Sequence, residues 1–224
     1  MSRTGLQPKR NAYKSSETFF ERHGTGMKKE EIIAFFDQMA PQWDADMIRD
    51  DAVIDTILHH AEVKAGNKVL DVACGTGVLF PDYLNIDVEL VTGVDISPEM
   101  VHIASEKYAG EKRIQVLCND VETMELHQIY DNAVVYNAFP HFPNPDGLLQ
   151  ALVKCVKVGG TVTIAHGMSR ERINQCHEGS AKKVSLGLMP VEDLAELVGK
   201  YLDVTTVISD DKMYQVVGKK ISHR

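Results

Sequence analysis

The stretch Lys68-Val69-Leu70-Asp71-Val72-Ala73-Cys74-Gly75-Thr76-Gly77 constrains this chain more than any other. Val69, Leu70 and Val72 are an apolar, largely β-branched run of the kind that forms a short buried strand. The run enters a glycine turn directly. Gly75 and Gly77 admit backbone angles closed to other residues and let a ligand approach the main chain. Asp71 is an acid on an apolar strand, which is costly unless it is exposed, paired or hydrogen-bonded. A second run, Glu89 to Val94, ends in another acid, Asp95. If the two strands are parallel, both acids stand at one sheet edge beside the glycine loop. Ligands of open α/β sheets bind at that edge.

The chain around this pair alternates helix and strand. Helices are expected over 28–40, 48–62, 98–108, 146–156 and 190–200, and one after Gly77 that carries Val78, Leu79 and Leu84. Strands are expected over 68–72, 89–94, 113–117, 133–136 and 161–165, with a hairpin formed by 203–208 and 213–217. Ser97-Pro98-Glu99 is a helix start: a capping serine, proline at the first helical position, then an acid in the first turn. Such alternation implies a parallel sheet with helices on both faces, and the hairpin implies one late antiparallel strand. Residues 1–26, with unbalanced Arg3, Lys9, Arg10 and Lys14, are expected to be a flexible tail. Residues 168–189 are polar and carry no clear pattern.

At 224 residues the chain fits one domain with additions. No apolar run reaches the roughly 18 residues of a membrane span, and no apolar leader core is evident. Four scattered cysteines without a CxxC pair suit the cytoplasm. The net charge of −8 weighs against nucleic acid as a partner.

The site chemistry follows from what the loop lacks. The nicotinamide fingerprint asks for a third glycine where this chain has Phe80, and no Gly-Lys-Ser/Thr follows the turn, which excludes a P-loop. Asp95 offers two acceptors suited to the hydroxyls of a ribose, and Asp71 suits a cationic group. A cationic nucleoside fits better than an anionic dinucleotide.

Residues 69–77 resemble the first motif of the class I S-adenosylmethionine-dependent methyltransferases, and residues 91–100 resemble their second. Asn119-Asp120-Val121-Glu122 resembles the adenine-contacting segment, Tyr130-Asp131 the approach to strand four, and Lys157-Val158-Gly159-Gly160-Thr161 the turn before strand five. Residues 36–44, with the lone Trp43, resemble the N-terminal segment of the branch related to quinone-biosynthesis enzymes. The resemblance implies a Rossmann-like, seven-stranded, mostly parallel sheet in order 3-2-1-4-5-7-6, helices on both faces and an N-terminal helical lid. The domain would span residues 27–224, with lid helices at 27–62 and a substrate-side insertion at 168–189. It implies S-adenosylmethionine as cofactor and a small-molecule acceptor. The cofactor residues would be Trp43 in the lid, then Asp71, Ala73, Cys74, Gly75, Gly77, Asp95, Ile96, Met100, Asp120, Val121 and Asn137. A fold relative with other chemistry, or a cofactor-sensing partner subunit, is the alternative. A monomer or homodimer is expected.

Histidine suits proton removal near neutral pH. His141 follows strand four and His166 ends strand five, and both are candidate bases. A metal site built from these and His177, or an ordinary loop role, stays open; the working expectation is no metal. Arg170 and Arg172 either clamp an anion on the acceptor or pair with Glu171 and Glu178 on a solvated face, and the second is expected.

Overall fold

The structure is a computed structural model that describes residues 26–125 and 127–222. The expected tail, apart from Gly26, lies outside the described residues. The helices are α1 (Lys29–Met39), α2 (Trp43–Asp46), α3 (Asp51–His60), α4 (Phe80–Ile86), α5 (Pro98–Lys107), α6 (Pro145–Cys155), α7 (Arg170–Cys176) and α8 (Val191–Gly199). The strands are β1 (Lys68–Val72), β2 (Leu90–Asp95), β3 (Ile114–Cys118), β4 (Tyr130–Tyr136), β5 (Val156–His166), β6 (Asp203–Ser209) and β7 (Tyr214–Lys219).

The strands form one seven-stranded sheet in the order β3-β2-β1-β4-β5-β7-β6. β1 pairs in parallel with β2 and β4, and β5 with β4; β7 runs antiparallel to both β5 and β6. Successive side chains of a strand point to opposite faces, so each strand serves two cores. Leu70, Val72, Ala133 and Val135 join Leu148, Leu149 and Leu152 of α6 and Leu194, Leu197 and Val198 of α8 in one apolar cluster. Val69, Val91 and Val134 face the other way, onto Ile54 and Leu58 of α3 and Phe80 and Tyr83 of α4. The order reverses at β1, where β2 lies on one side and β4 on the other. That reversal opens a crevice at the carboxyl ends of the strands.

Local chemistry explains the boundaries. α3 starts at Asp51 because the Asp50 side chain accepts from Val53 N and caps it. Met47 is extended, so α2 is a separate turn and the expected 48–62 helix is shorter at both ends. Ser97 caps α5 as the sequence indicates, its hydroxyl accepting from Met100 N. β4 and β5 are longer than expected. The Lys157 ammonium meets the Asp131 carboxylate at 2.7 Å, Lys68 N donates to the same acid, and the residues around Gly159 stay within β5. The unpatterned 168–189 segment holds α7 and a 3-10 turn, Ser180–Val184. No helix among the described residues is long and apolar enough to cross a membrane.

Candidate active site

A cleft lies over the carboxyl ends of β1, β2 and β4 and encloses about 1100 Å³ of empty space, open solvent at its mouth included. Its floor is the β1 loop. Ala73 and Gly75 both take left-handed backbone angles (φ 55°), and Asn137 does so after β4 (φ 54°). Non-glycine residues held there store strain, which persists where surrounding contacts enforce it. The Asn137 side chain supplies one such contact, its Oδ1 accepting from Gly167 N at 3.0 Å.

Asp95 closes β2. Its Oδ2 accepts from Gly75 N at 2.8 Å and its Oδ1 from Ser97 N at 2.9 Å. The carboxylate therefore ties the glycine loop to the start of α5 and keeps unused lone pairs toward the cleft it lines. Burial raises its pKa, and the hydrogen bonds from Ser97, Gly75 and Ile96 oppose that rise. Asp71 is fully enclosed; burial and then the neighbouring acids Asp95 and Asp82 hold its pKa well above the usual carboxylate range. These influences favour the neutral acid, and a positive group bound beside Asp71 would favour its charged form instead.

Trp43, Asp71, Ala73, Cys74, Gly75, Asp95, Ile96, Met100, Asp120, Val121, Asn137 and His141 all line this one cleft. The structure does not bring Gly77 or His166 into it. Gly77 (φ 84°) lies against α4: a β-carbon there would sit 2.7 Å from the Phe80 ring and 2.9 Å from Tyr108. Its lack of a side chain serves packing. Gly77→Ala should cost about 2 kcal/mol or more in urea unfolding, from overpacking and backbone strain together. The Cys74 thiol is buried, and burial, Asp71 and Asp95 drive its pKa well up, so it is no thiolate nucleophile.

His166 is corrected as a candidate base. It is 0% exposed, and neither ring nitrogen has a hydrogen-bond partner. Its ring packs edge-on against Tyr214 of β7 at 6.1 Å. Burial, then His141 and His177, push its pKa down to about 3. The alternation of β5 turns this side chain into the protein. His141, in contrast, lines the cleft and is partly exposed. Its Nδ1 lies 2.6 Å from the Val184 carbonyl. A carbonyl only accepts, so Nδ1 carries the proton and Nε2 keeps its lone pair. Burial pushes its pKa down to about 4. The ring is held edge-on between Phe36 at 4.9 Å and His177 at 5.0 Å. Among the described residues no three His, Cys, Asp or Glu side chains are arranged to hold a metal ion.

Both buried histidines have folded pKa values below the unfolded value of about 6.5. The unfolded chain therefore binds more protons, and their contribution is present above pH 6.5 and lost as pH falls toward 4 and 3. Melting scans should show this loss, and His166→Phe should remove its share, about 1.4 kcal/mol per pH unit between pH 6.5 and 4.

The roof is built by the helices ahead of β1, including Phe36 and Trp43 of the 36–44 segment. Lys29, Ile32 and Phe36 of α1, together with Met47, line the cleft beside Trp43. Phe36 meets Trp43 edge-on at 5.8 Å. Acids on the roof helices fasten them down: Asp37 accepts from Ser97 Oγ and Glu99 N, and Asp44 from Thr76 Oγ1 and Lys107 Nζ. Lys29 pairs with Asp120 at 2.5 Å and Glu122 at 3.3 Å, across the end of the cleft. The 36–44 resemblance pointed to a roof here, but charge pairs at such separation leave no spacing pattern, so these ion pairs could not be read along the chain.

A sheet in the order 3-2-1-4-5-7-6, with an acid ending β2 and a glycine loop after β1, defines the class I methyltransferase fold. Residues 69–160 match the family model described as a methyltransferase domain. The chain is 27% identical over 157 residues to a malonyl-[acyl-carrier protein] O-methyltransferase of Acetivibrio thermocellus, covering 67% of this chain and 55% of that protein. It is 31% identical over 147 residues to a ubiquinone biosynthesis O-methyltransferase of Photobacterium profundum, covering 64% and 58%. It thus spans little more than half the length of these curated relatives. The N-methyltransferase NodS of Bradyrhizobium japonicum, solved with S-adenosyl-L-homocysteine, shares the fold at TM-score 0.67 and 11% identity, covering 86% of this chain and 98% of that one.

Proposed function

We propose that this protein transfers a methyl group from S-adenosylmethionine to a small-molecule acceptor. The observation that carries the reading is the Asp95 carboxylate, tied to Gly75 N and Ser97 N at the rim of a cleft that Asp71 also lines. That donor set fits a nucleoside bearing positive charge. When bound, the cofactor supplies an electrophilic sulfonium methyl with an already activated leaving group.

In this reading Asp95 accepts from the ribose hydroxyls. Ile96 and Met100 flank the adenine, with Asp120 and Val121 at its polar edge. Ala73, Cys74 and Gly75 present backbone to the methionine end, near Asp71 and Asn137. The Lys29–Asp120 pair spans the adenine end, so α1 is a lid whose ionic contact loosens when that acid is engaged. Phe36, Trp43 and Met47 exclude water. His141 takes the proton of the accepting atom at Nε2, with its tautomer held by Val184.

The acceptor is small and not nucleic acid, a view supported by the −8 charge and the enclosed cleft. The free cysteines Cys74, Cys118, Cys155 and Cys176 support a cytoplasmic setting, and the chain acts as a monomer or homodimer. Incubation with methyl-labelled S-adenosylmethionine and a metabolite extract should yield a labelled small molecule. Tight cofactor binding without any labelled product would instead favour a sensor or a relative with other chemistry.

A further inference from the structure

Behind the His141–His177 ring pair lies a second cavity, distinct from the cleft. It is lined by Arg170 and Asn174 of α7, by His177 and Glu178 just after it, by Lys182 and Lys183, by the 185–188 loop and by Gly26 and Met27. Its charge is opposite to that of the cleft, with three permanent cations against one carboxylate, Glu178.

These cations differ from those near the cleft and sheet. Among the described residues the lysines and arginines near the cleft and sheet are mostly paired: Lys29, Arg49, Lys107, Arg113, Lys157 and Lys219 each meet a carboxylate. Arg170, Lys182 and Lys183 form no ion pair with a carboxylate among the described residues. The expected pairing of Arg170 with Glu171 or Glu178 is absent. An arginine that is part-buried and unpaired retains its full demand for an anion.

The cavity wall is also fixed in place. Arg170 Nε donates to the Leu188 carbonyl at 2.9 Å, which orients the guanidinium and leaves its terminal nitrogens available. Asn174 holds the same residue from both sides, accepting from Leu188 N and donating to Leu188 O. Ser185 Oγ accepts from Gly187 N and lies 2.9 Å from His177 Nδ1. Gly187 bends the loop with φ 73°.

We propose that this cavity is an oxyanion site that binds a carboxylate or phosphate through Arg170, Lys182 and Lys183. The anion is either the acidic end of the acceptor or a free ion; the first source rests on the methyl-transfer reading, the site itself does not. His177 touches both the cavity and His141, so occupancy is sensed one ring away from the cleft.

The test uses the full chain, without cofactor. Inorganic phosphate is titrated at constant ionic strength while the His177 ring signals are followed by NMR. A saturable shift is expected. Lys183→Gln, on an exposed residue, and Arg170→Gln should each weaken it about tenfold. Arg172→Gln, on the exposed face of α7 and outside the cavity, should leave it unchanged. No saturable shift, or equal weakening by all three variants, would overturn the site, whatever the fate of the methyl-transfer reading. Inhibition of methyl transfer by phosphate then separates the sources. Competition with the acceptor indicates its acidic end, and inhibition or activation without competition indicates a free ion.

Discussion

Replacing Asp95 with alanine should weaken S-adenosylmethionine binding by about 10² to 10⁴-fold, measured by isothermal titration. Hydrogen bonds to a charged acceptor contribute about 1.5–3 kcal/mol each, and a ribose makes two. The loss has a second source. Asp95 also holds Gly75 N and Ser97 N, so its removal frees the glycine loop at the floor of the cleft. Asp37→Ala separates the two effects. Asp37 accepts from Ser97 Oγ and Glu99 N from the lid side, so its loss loosens the α5 start while leaving Asp95 in place. Its cost in affinity should be about tenfold or less. Cofactor affinity untouched by Asp95→Ala would remove this carboxylate from the binding site.

His141→Gln should lower kcat by about 10² to 10⁴ with little change in cofactor affinity, the range over which a positioned general base contributes. The pH profile discriminates a base from a structural residue. A base must be unprotonated, and burial places the His141 transition near 4, below the ordinary histidine value. In the wild-type enzyme kcat should therefore stay level from pH 8 down through 6.5 and fall only as pH approaches 4. That limb should vanish in His141→Gln. An unchanged kcat would defeat the assignment, and a limb at 6.5 would place the proton on another group. His166 cannot substitute, because both of its nitrogens lie in the interior away from any acceptor.

The contrast between these two histidines shows where reading along the chain stops. Each follows or ends a strand at the same sheet edge, and residue type and position are equivalent. Which one meets the cleft depends on strand register. His166 is the last residue of β5, paired opposite Tyr214, and its place in the alternation sends the ring inward. His141 sits in a 3-10 turn after β4, where the chain has left the sheet and Val184 from a distant loop fixes its proton. Arg170 tells the same story. Its neighbours Glu171 and Glu178 suggest a neutralised surface, but Leu188 draws it into the second cavity instead.

The strand-loop pairs ending in Gly75 and Asp95, the helix start at Ser97 and the alternation that dictates a parallel sheet are local patterns. They depend on dihedral freedom, capping and periodicity within a few residues, and the amino-acid order alone determined them. The roof contacts, the placing of His141 in the cleft and of His166 in the core, and the cations beside His177 depend on residues far apart in the chain. Only the folded packing decided them, because burial and partner geometry are properties of neighbours in space and leave no periodic mark along the chain.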